Sequence, residues 1–376
     1  MTAYLDNAAT TRVCPEAAET AVRIMTEGYG NPSSTHALGR EAKKRLGEAR
    51  KQIAAALGCQ PDTVYFTSGG TESDNWAILG GAKLMRRSCR HIVTTAIEHD
   101  AILQPMRRLE DKGWEVTYLK PDSTGAITAG QVAEAVREDT GLVSVMLVNN
   151  ETGAVNPIRD IAIQLKRIRS KALLHTDAVQ AFGKIPFTVR ESGVDLCTVS
   201  GHKIHAPKGV GALYIRDGLR LPARVFGGGQ EKTIRPGTEA MPSICAFGTA
   251  ADHAMRALKA DPDMFKKMRR HLITALSEKV PQAMIIGEGA GHIVSLSLPG
   301  YKSEVIMNLL DSEGIYVSKS SACKKGARSH VLEAMNLPPK VIDGAIRVSF
   351  SRYTTVDEIE YFVEKLAEAE GRLVHQ

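Results

Sequence analysis

Four short segments of this 376-residue chain carry side chains suited to covalent or acid–base chemistry. Phe66-Thr67-Ser68-Gly69-Gly70-Thr71-Glu72 joins an apolar run to a helical pattern. Its glycines permit close backbone approach, and the unpaired N–H groups and dipole of a helix start favour a phosphate. An ordinary turn with a threonine cap is the competing reading. His175-Thr176-Asp177-Ala178-Val179-Gln180 closes a second apolar run. A carboxylate there either caps a helix or holds the protonated nitrogen of a pyridine cofactor, the pairing that makes pyridoxal phosphate an electron sink. A third run ends in Ser200-Gly201-His202-Lys203. A lone lysine is ordinarily a surface residue, but near positive groups or out of water its amine loses proton affinity and becomes a Schiff-base nucleophile. A strand-end aspartate and a strand-end lysine one crossover apart, downstream of a phosphate cradle, favour the chemical reading of both.

The fourth segment holds Cys323, in the polar stretch Ser318-Lys319-Ser320-Ser321-Ala322-Cys323-Lys324-Lys325-Gly326-Ala327-Arg328-Ser329. Glycine and polar residues predict a mobile loop, and Lys324, Lys325 and Arg328 favour thiolate over thiol. Cys14, Cys59, Cys89, Cys197 and Cys245 read as structural. No pair is spaced C-x-x-C, which excludes a zinc knuckle or a thioredoxin-like motif.

The elements that must position these groups are legible as alternating runs. Strands are expected at Val64–Thr67, Ile92–Ala96, Val116–Leu119, Leu142–Val148, Leu173–Thr176, Leu196–Ser200 and Gly211–Ile215, with amphipathic helices near 37–57, 72–86, 100–112, 129–137 and 157–170. Apolar strands separated by helices imply an α/β fold, a mostly parallel sheet covered on both faces that binds ligands beyond its carboxyl ends. After about residue 240 the pattern becomes α+β: helices at 239–258, 262–279, 302–314 and 355–370, and strands at Met284–Ile286, Ile293–Leu298 and Ile346–Phe350.

Composition narrows the function classes. Forty-eight Lys+Arg against 42 Asp+Glu leave a net charge of only +6, spread in short clusters at helical spacing, which argues against nucleic-acid binding. No apolar run reaches the ~20 residues of a membrane span. The start, MTAYLDNAATTRV, lacks the pattern of a signal peptide, so a cytoplasmic location with reduced thiols is expected.

The ordered motifs resemble those of the cysteine desulfurases among the class V, fold type I pyridoxal-phosphate enzymes. They are Tyr4–Thr11, Gly30–Ser34, Thr67–Asn75, Glu98-His99, Val148–Gly153, Asp177–Gln180, Ser200–Lys203, Arg235–Glu239, Ser321–Cys323 and Ile346–Ser349. The resemblance implies a large pyridoxal-phosphate-binding domain at 15–255 built on a seven-stranded sheet. It implies a small domain from 1–14 and 256–376 that carries the cysteine loop at about 318–330. It implies pyridoxal 5′-phosphate tethered by Lys203, which later shuttles a proton, with Asp177 on the ring nitrogen, His99 stacked on the ring and assisting proton transfer, and Gln180 and Asn150 around the ring oxygen and substrate. Gly70, Thr71, Ser200 and His202 would bind the phosphate, with Thr238 supplied by the other subunit of a homodimer. Asn31 and Arg347 would hold the substrate carboxylate, and Cys323 would take sulfur from L-cysteine as a persulfide, leaving L-alanine. A protein acceptor, such as an iron–sulfur scaffold or a thiolation protein, would receive that sulfur. The alternatives are a selenocysteine lyase or another class V aminotransferase, and, in a different class, a non-catalytic scaffold or regulator. Three departures from the family pattern, Lys-Lys-Gly after the cysteine, a slightly shorter segment Ser329–Ala345 before Arg347 and His205-Ala206-Pro207 after the lysine, leave the cofactor chemistry intact and bear on the acceptor.

Overall fold

The structure, a computed structural model, describes residues 1–319 and 328–372. After a two-residue strand, β1 (Ala3–Tyr4), come β2 (Val64–Thr67), β3 (His91–Thr95), β4 (Glu115–Leu119), β5 (Thr140–Ser144), β6 (Leu173–Asp177), β7 (Leu196–Ser200) and β8 (Gly211–Ile215). The last seven form one sheet in the order β2-β8-β7-β6-β5-β3-β4. Strands β3 to β7 are parallel, and β8 runs antiparallel to both β7 and β2. Helices α1 (Pro15–Thr26), α2 (Ala37–Leu57), α3 (Gly70–Met85), α4 (Asp100–Glu110), α5 (Ala129–Ala135), α6 (Ile158–Arg167), α7 (Val189–Ser192) and α8 (Met241–Ala260) accompany it.

Side-chain alternation along the strands explains the two helical layers. Val93, Val143, Leu174, Cys197 and Ala212 share a core with α1, α2, α6 and α8. Their chain neighbours Ile92, Leu142, Leu173, Leu196 and Leu213 point the other way, onto α3 and α4. Because α3 is apolar nearly all round, it buries Trp76, Ala77 and Ile78 together.

The expected strand Leu142–Val148 ends at Ser144, although the N–H groups of Val145 and Leu147 still donate to the carbonyls of His175 and Asp177. Helix α1, absent from the sequence-based expectation, begins with proline in its first turn and packs Ala17 and Ile24 into the core it shares with α8.

Beyond α8 lie α9 (Met264–Lys279), β9 (Met284–Ile286), β10 (Ile293–Ser297), α10 (Ser303–Ser312), β11 (Ile315–Tyr316), β12 (Ser318–Lys319), α11 (His330–Ala334), α12 (Pro339–Asp343), β13 (Ala345–Ser349) and α13 (Val356–Arg372). Four of these strands form an antiparallel sheet, β12-β13-β10-β9, while β11 pairs in parallel with β1. Ala3 and Leu5 therefore pack in the C-terminal core, and the Asn7 amide donates to the Ser349 carbonyl at 3.0 Å. No helix among the described residues is long and apolar enough to cross a membrane.

Candidate active site

The carboxyl ends of β2, β6 and β7 lie close together on the sheet, since Thr67 and Ser200 both pair with Gly211 and Asp177 pairs with Thr198. Just past them is a cavity of about 320 Å³, bounded by residues from each strand end and by Ala8 and Ala9 of the N-terminal segment. Gly69 joins β2 to α3 with φ +149, and no side chain caps the helix start. A side chain at Gly70 would meet Val179 Cγ2 at 3.0 Å, so glycine keeps this wall open. Gly70, Thr71, Ser200 and His202 line the cavity together.

Asp177 ends β6, with one carboxylate oxygen accepting the Val179 N–H at 2.8 Å. Lys203 follows β7 in a single 3₁₀ turn, and its Nζ donates to the carbonyls of Ala8 and Ala9, both at 2.6 Å. His99 caps α4, its Nδ1 accepting the Ala101 N–H at 3.1 Å. Arg347, on β13, reaches in from the C-terminal sheet. Its two terminal nitrogens donate to the Asn150 carbonyl (2.8 Å) and Asp6 Oδ1 (2.9 Å), while its buried Nε has no partner. Asn150 and Gln180 complete the predicted set on this cavity.

Burial governs the protonation states. It raises the Asp177 carboxyl, against the opposing pull of the Val179 N–H, His99 and Lys203. Asp74, behind it on α3, is pushed well above the carboxylate range by burial and by the charges of Asp177 and Glu98. Burial lowers His99 and holds His175 neutral, at about 3.

Glu98 and Glu151 occur in the motifs above without a role. Glu98 accepts the Thr95 hydroxyl and the Met146 N–H, both at 2.8 Å, and burial pushes it up to about 8. Glu151 accepts the Ser329 hydroxyl, and burial pushes it up to about 7. For both, the folded protein binds more protons than the unfolded chain between the ordinary value of 4.5 and the raised one. Their stability contribution is therefore fully present below about pH 4.5 and falls as pH rises from there, by up to about 1.4 kcal/mol per pH unit for each group, until it is lost by about 7 for Glu151 and about 8 for Glu98. Glu98→Gln should flatten this fall in a series of thermal midpoints across neutral pH. An unchanged slope would contradict the assignment.

These groups suit the phosphate-bearing pyridine aldehyde implied by the motifs. The uncapped helix start with three polar side chains offers phosphate donors, Asp177 offers a carboxylate to a ring nitrogen, and the unpartnered Nε of Arg347 offers a donor to a second anion. Asn31 and Thr238 do not line this cavity in the single chain. Both are exposed. The loop leading to Thr238 is nonetheless anchored: Glu231 pairs with Arg50 at 2.5 Å, and Arg235 pairs with Glu72 at 2.9 Å.

Cys323, Lys324 and Lys325 lie outside the described residues. Of the other cysteines, burial raises the thiols of Cys14 and Cys59, sets Cys245 at about 11 and pushes Cys197 well above the usual range. Asp6, which lies in the Tyr4–Thr11 motif without an assigned role, and Lys184, which no motif or local spacing marks, also contact the site residues.

The family model described as Aminotransferase class-V matches residues 3–362. The protein named cysteine desulfurase IscS of Methanosarcina thermophila is 40% identical over 375 residues, covering 98% of this chain and 92% of its own length. A cysteine desulfurase of Nostoc sp. is 42% identical over 380 residues, covering 98% and 93%. Among solved structures, a NifS-like protein superposes with a TM-score of 0.93 at 38% identity, covering 99% of this chain and 100% of that one. SspA in complex with cysteine gives 0.81 at 32% identity, covering 94% and 100%. With the strand-end aspartate and lysine on one cavity and likeness along almost its whole length, the chain belongs to the class V aminotransferase family, among the cysteine desulfurases.

Proposed function

We propose that this protein is a pyridoxal-phosphate-dependent cysteine desulfurase that converts L-cysteine to L-alanine and takes up the sulfur on Cys323. The reading rests on the meeting of Asp177, Lys203 and Arg347 at one cavity, in a chain 40% identical to a cysteine desulfurase. The solved relative that carries cysteine supports the same substrate. Pyridoxal phosphate, when bound, supplies an electron sink for the pair released as the substrate Cα–H bond breaks.

The chain's own residues do the rest. Gly70, Thr71, Ser200 and His202 hold the phosphate, joined in a homodimer by Thr238 from the second subunit. Asp177 keeps the ring nitrogen protonated, and His99 covers the ring. Asn150 and Gln180 bond the ring oxygen and the substrate. Lys203 tethers the cofactor through Nζ and moves the proton at substrate Cα. Arg347, aided by Asn31, grips the substrate carboxylate through the guanidinium fork. The Cys323 thiolate attacks the substrate sulfur, forming an S–S bond as the Cβ–S bond breaks; the bonding pair stays with the carbon, which takes a proton to become the methyl group of alanine, and a persulfide is left on Cys323. From there the sulfur passes to a protein acceptor in the cytoplasm, an iron–sulfur scaffold or a thiolation protein. The residues divide between a large unit at 15–255 and a smaller one formed by 1–14 and 256–376.

Purified protein given L-cysteine should yield alanine, and mass spectrometry should find one added sulfur on Cys323. Cys323→Ser should abolish sulfide release. Sulfide production retained by this variant would overturn the persulfide step at Cys323, and a colourless protein that binds no pyridoxal phosphate would point to a non-catalytic homologue.

A further inference from the structure

Gln180 is buried on the cavity wall with both ends of its amide engaged. Nε2 donates one hydrogen to the Ala8 carbonyl at 2.9 Å, and Oε1 accepts from Nζ of Lys184 at 3.0 Å. The same Ala8 carbonyl accepts from Lys203. A chain of contacts thus runs from Lys184 through Gln180 and Ala8 to the lysine of the site. Lys184 reaches this position because the segment after β6 winds through successive turns and reverses at Gly183, whose φ is +67 and where a Cβ would lie 2.9 Å from that of Ala254. Only glycine takes that conformation without strain, and the turns set positions 180 and 184 against each other.

We propose that Lys184 is a positioning residue: its amine fixes the oxygen of the Gln180 amide, so that Gln180 presents only N–H to the cavity. A primary amide has two faces of opposite hydrogen-bonding character. With Oε1 bound to the lysine and one N–H on Ala8, the amide is held against rotation and its second N–H remains for an acceptor. Without the amine, the oxygen loses its buried donor and the amide is free to turn an acceptor toward the cavity. The cost of a buried lysine fits this role better than a role in packing. Burial, then the charges of Lys203 and Arg347, push Lys184 well below the ordinary lysine range, and a neutral amine still donates its hydrogens. Lys184 is only 6% exposed and makes no ion pair among the described residues, so a fold that needed bulk alone would be served as well by methionine.

This inference rests on the reading of Gln180 as a donor to the ring oxygen of pyridoxal phosphate. The test uses the full chain stripped of cofactor and titrated with pyridoxal phosphate, followed by absorbance. Lys184→Met should weaken binding roughly tenfold, the ratio corresponding to one lost hydrogen bond of about 1.4 kcal/mol, and should shift the visible band of the loaded protein. The cofactor-free variant should melt near the wild-type temperature, because the relief of a buried amine's desolvation offsets the one hydrogen bond it gives to Gln180. In a Gln180→Ala background the same substitution should cost no further affinity. An equal loss in both backgrounds, or an unchanged affinity and band, would each overturn the proposal. Wild-type protein that binds no pyridoxal phosphate would overturn the functional reading, and this inference with it.

Discussion

Lys203→Ala is expected to lower alanine formation from L-cysteine by at least about 10³-fold, with the fold preserved. A positioned proton-transfer group is worth roughly 10²–10⁴ in rate, and this lysine is also assigned the covalent hold on the cofactor. Backbone groups help to set its position. The 3₁₀ turn after β7 delivers the side chain, and the carbonyls of Ala8 and Ala9 clasp Nζ at 2.6 Å each. Removing the side chain vacates space at a cavity and leaves the core packing of Cys197 and Val199 beneath it untouched. The melting temperature of the cofactor-free protein should therefore stay near wild type while the colour of the loaded protein is lost on dialysis. An activity within about tenfold of wild type would place the base elsewhere.

Arg347→Lys is expected to raise KM for L-cysteine roughly 10- to 100-fold, with a smaller change in kcat. Arg347 is only 2% exposed, its guanidinium held at one nitrogen by the Asn150 carbonyl and at another by Asp6, and its buried Nε is left without a partner. Such a fork presents fixed donors to a carboxylate, and a lysine supplies a single point charge that cannot satisfy Asp6, Asn150 and substrate at once. A hydrogen bond to a charged group contributes about 1.5–3 kcal/mol, which sets the range. Steady-state kinetics separate this loss, made in the ground state and transition state alike, from a loss of catalysis proper. An unchanged KM would remove Arg347 from substrate binding.

The parts of the site legible in sequence are those carried by local pattern. Asp177 and Lys203 close apolar runs, and Gly69-Gly70 lies between a strand and a helix, so each announces its place at a carboxyl strand end. Gly211, the shared partner of Thr67 and Ser200, brings two of these ends together through the antiparallel strand β8. What sequence does not display is the partner of each side chain when that partner is distant. Asp6 meets Arg347 across 341 residues, and Glu151 meets Ser329 across 178. Lys184 is a different failure: its partner is four positions away, but it lies in a run of turns with no helical or strand period to fix its direction. Helix α1 was missed because its buried residues, Ala17 and Ile24, make too sparse a stripe. The role of Cys323 stands on its lysine-rich sequence setting.

The hydrogen bonds from Asn7 to the carbonyl of Ser349 fix when the site can exist. Their sequence separation is 342 residues. The first ten residues, which clasp Lys203 through two carbonyls and hold Arg347 through Asp6, find their docking strand only after nearly the whole chain has been made. At ~5–20 residues per second of synthesis, the N-terminal segment waits roughly 20–70 s for its partner. Closing so long a loop is also slow relative to the local pairing of the parallel strands. The large sheet is therefore expected to form first and the cavity last, so a nascent or truncated chain can be well folded over most of its length and still have no site.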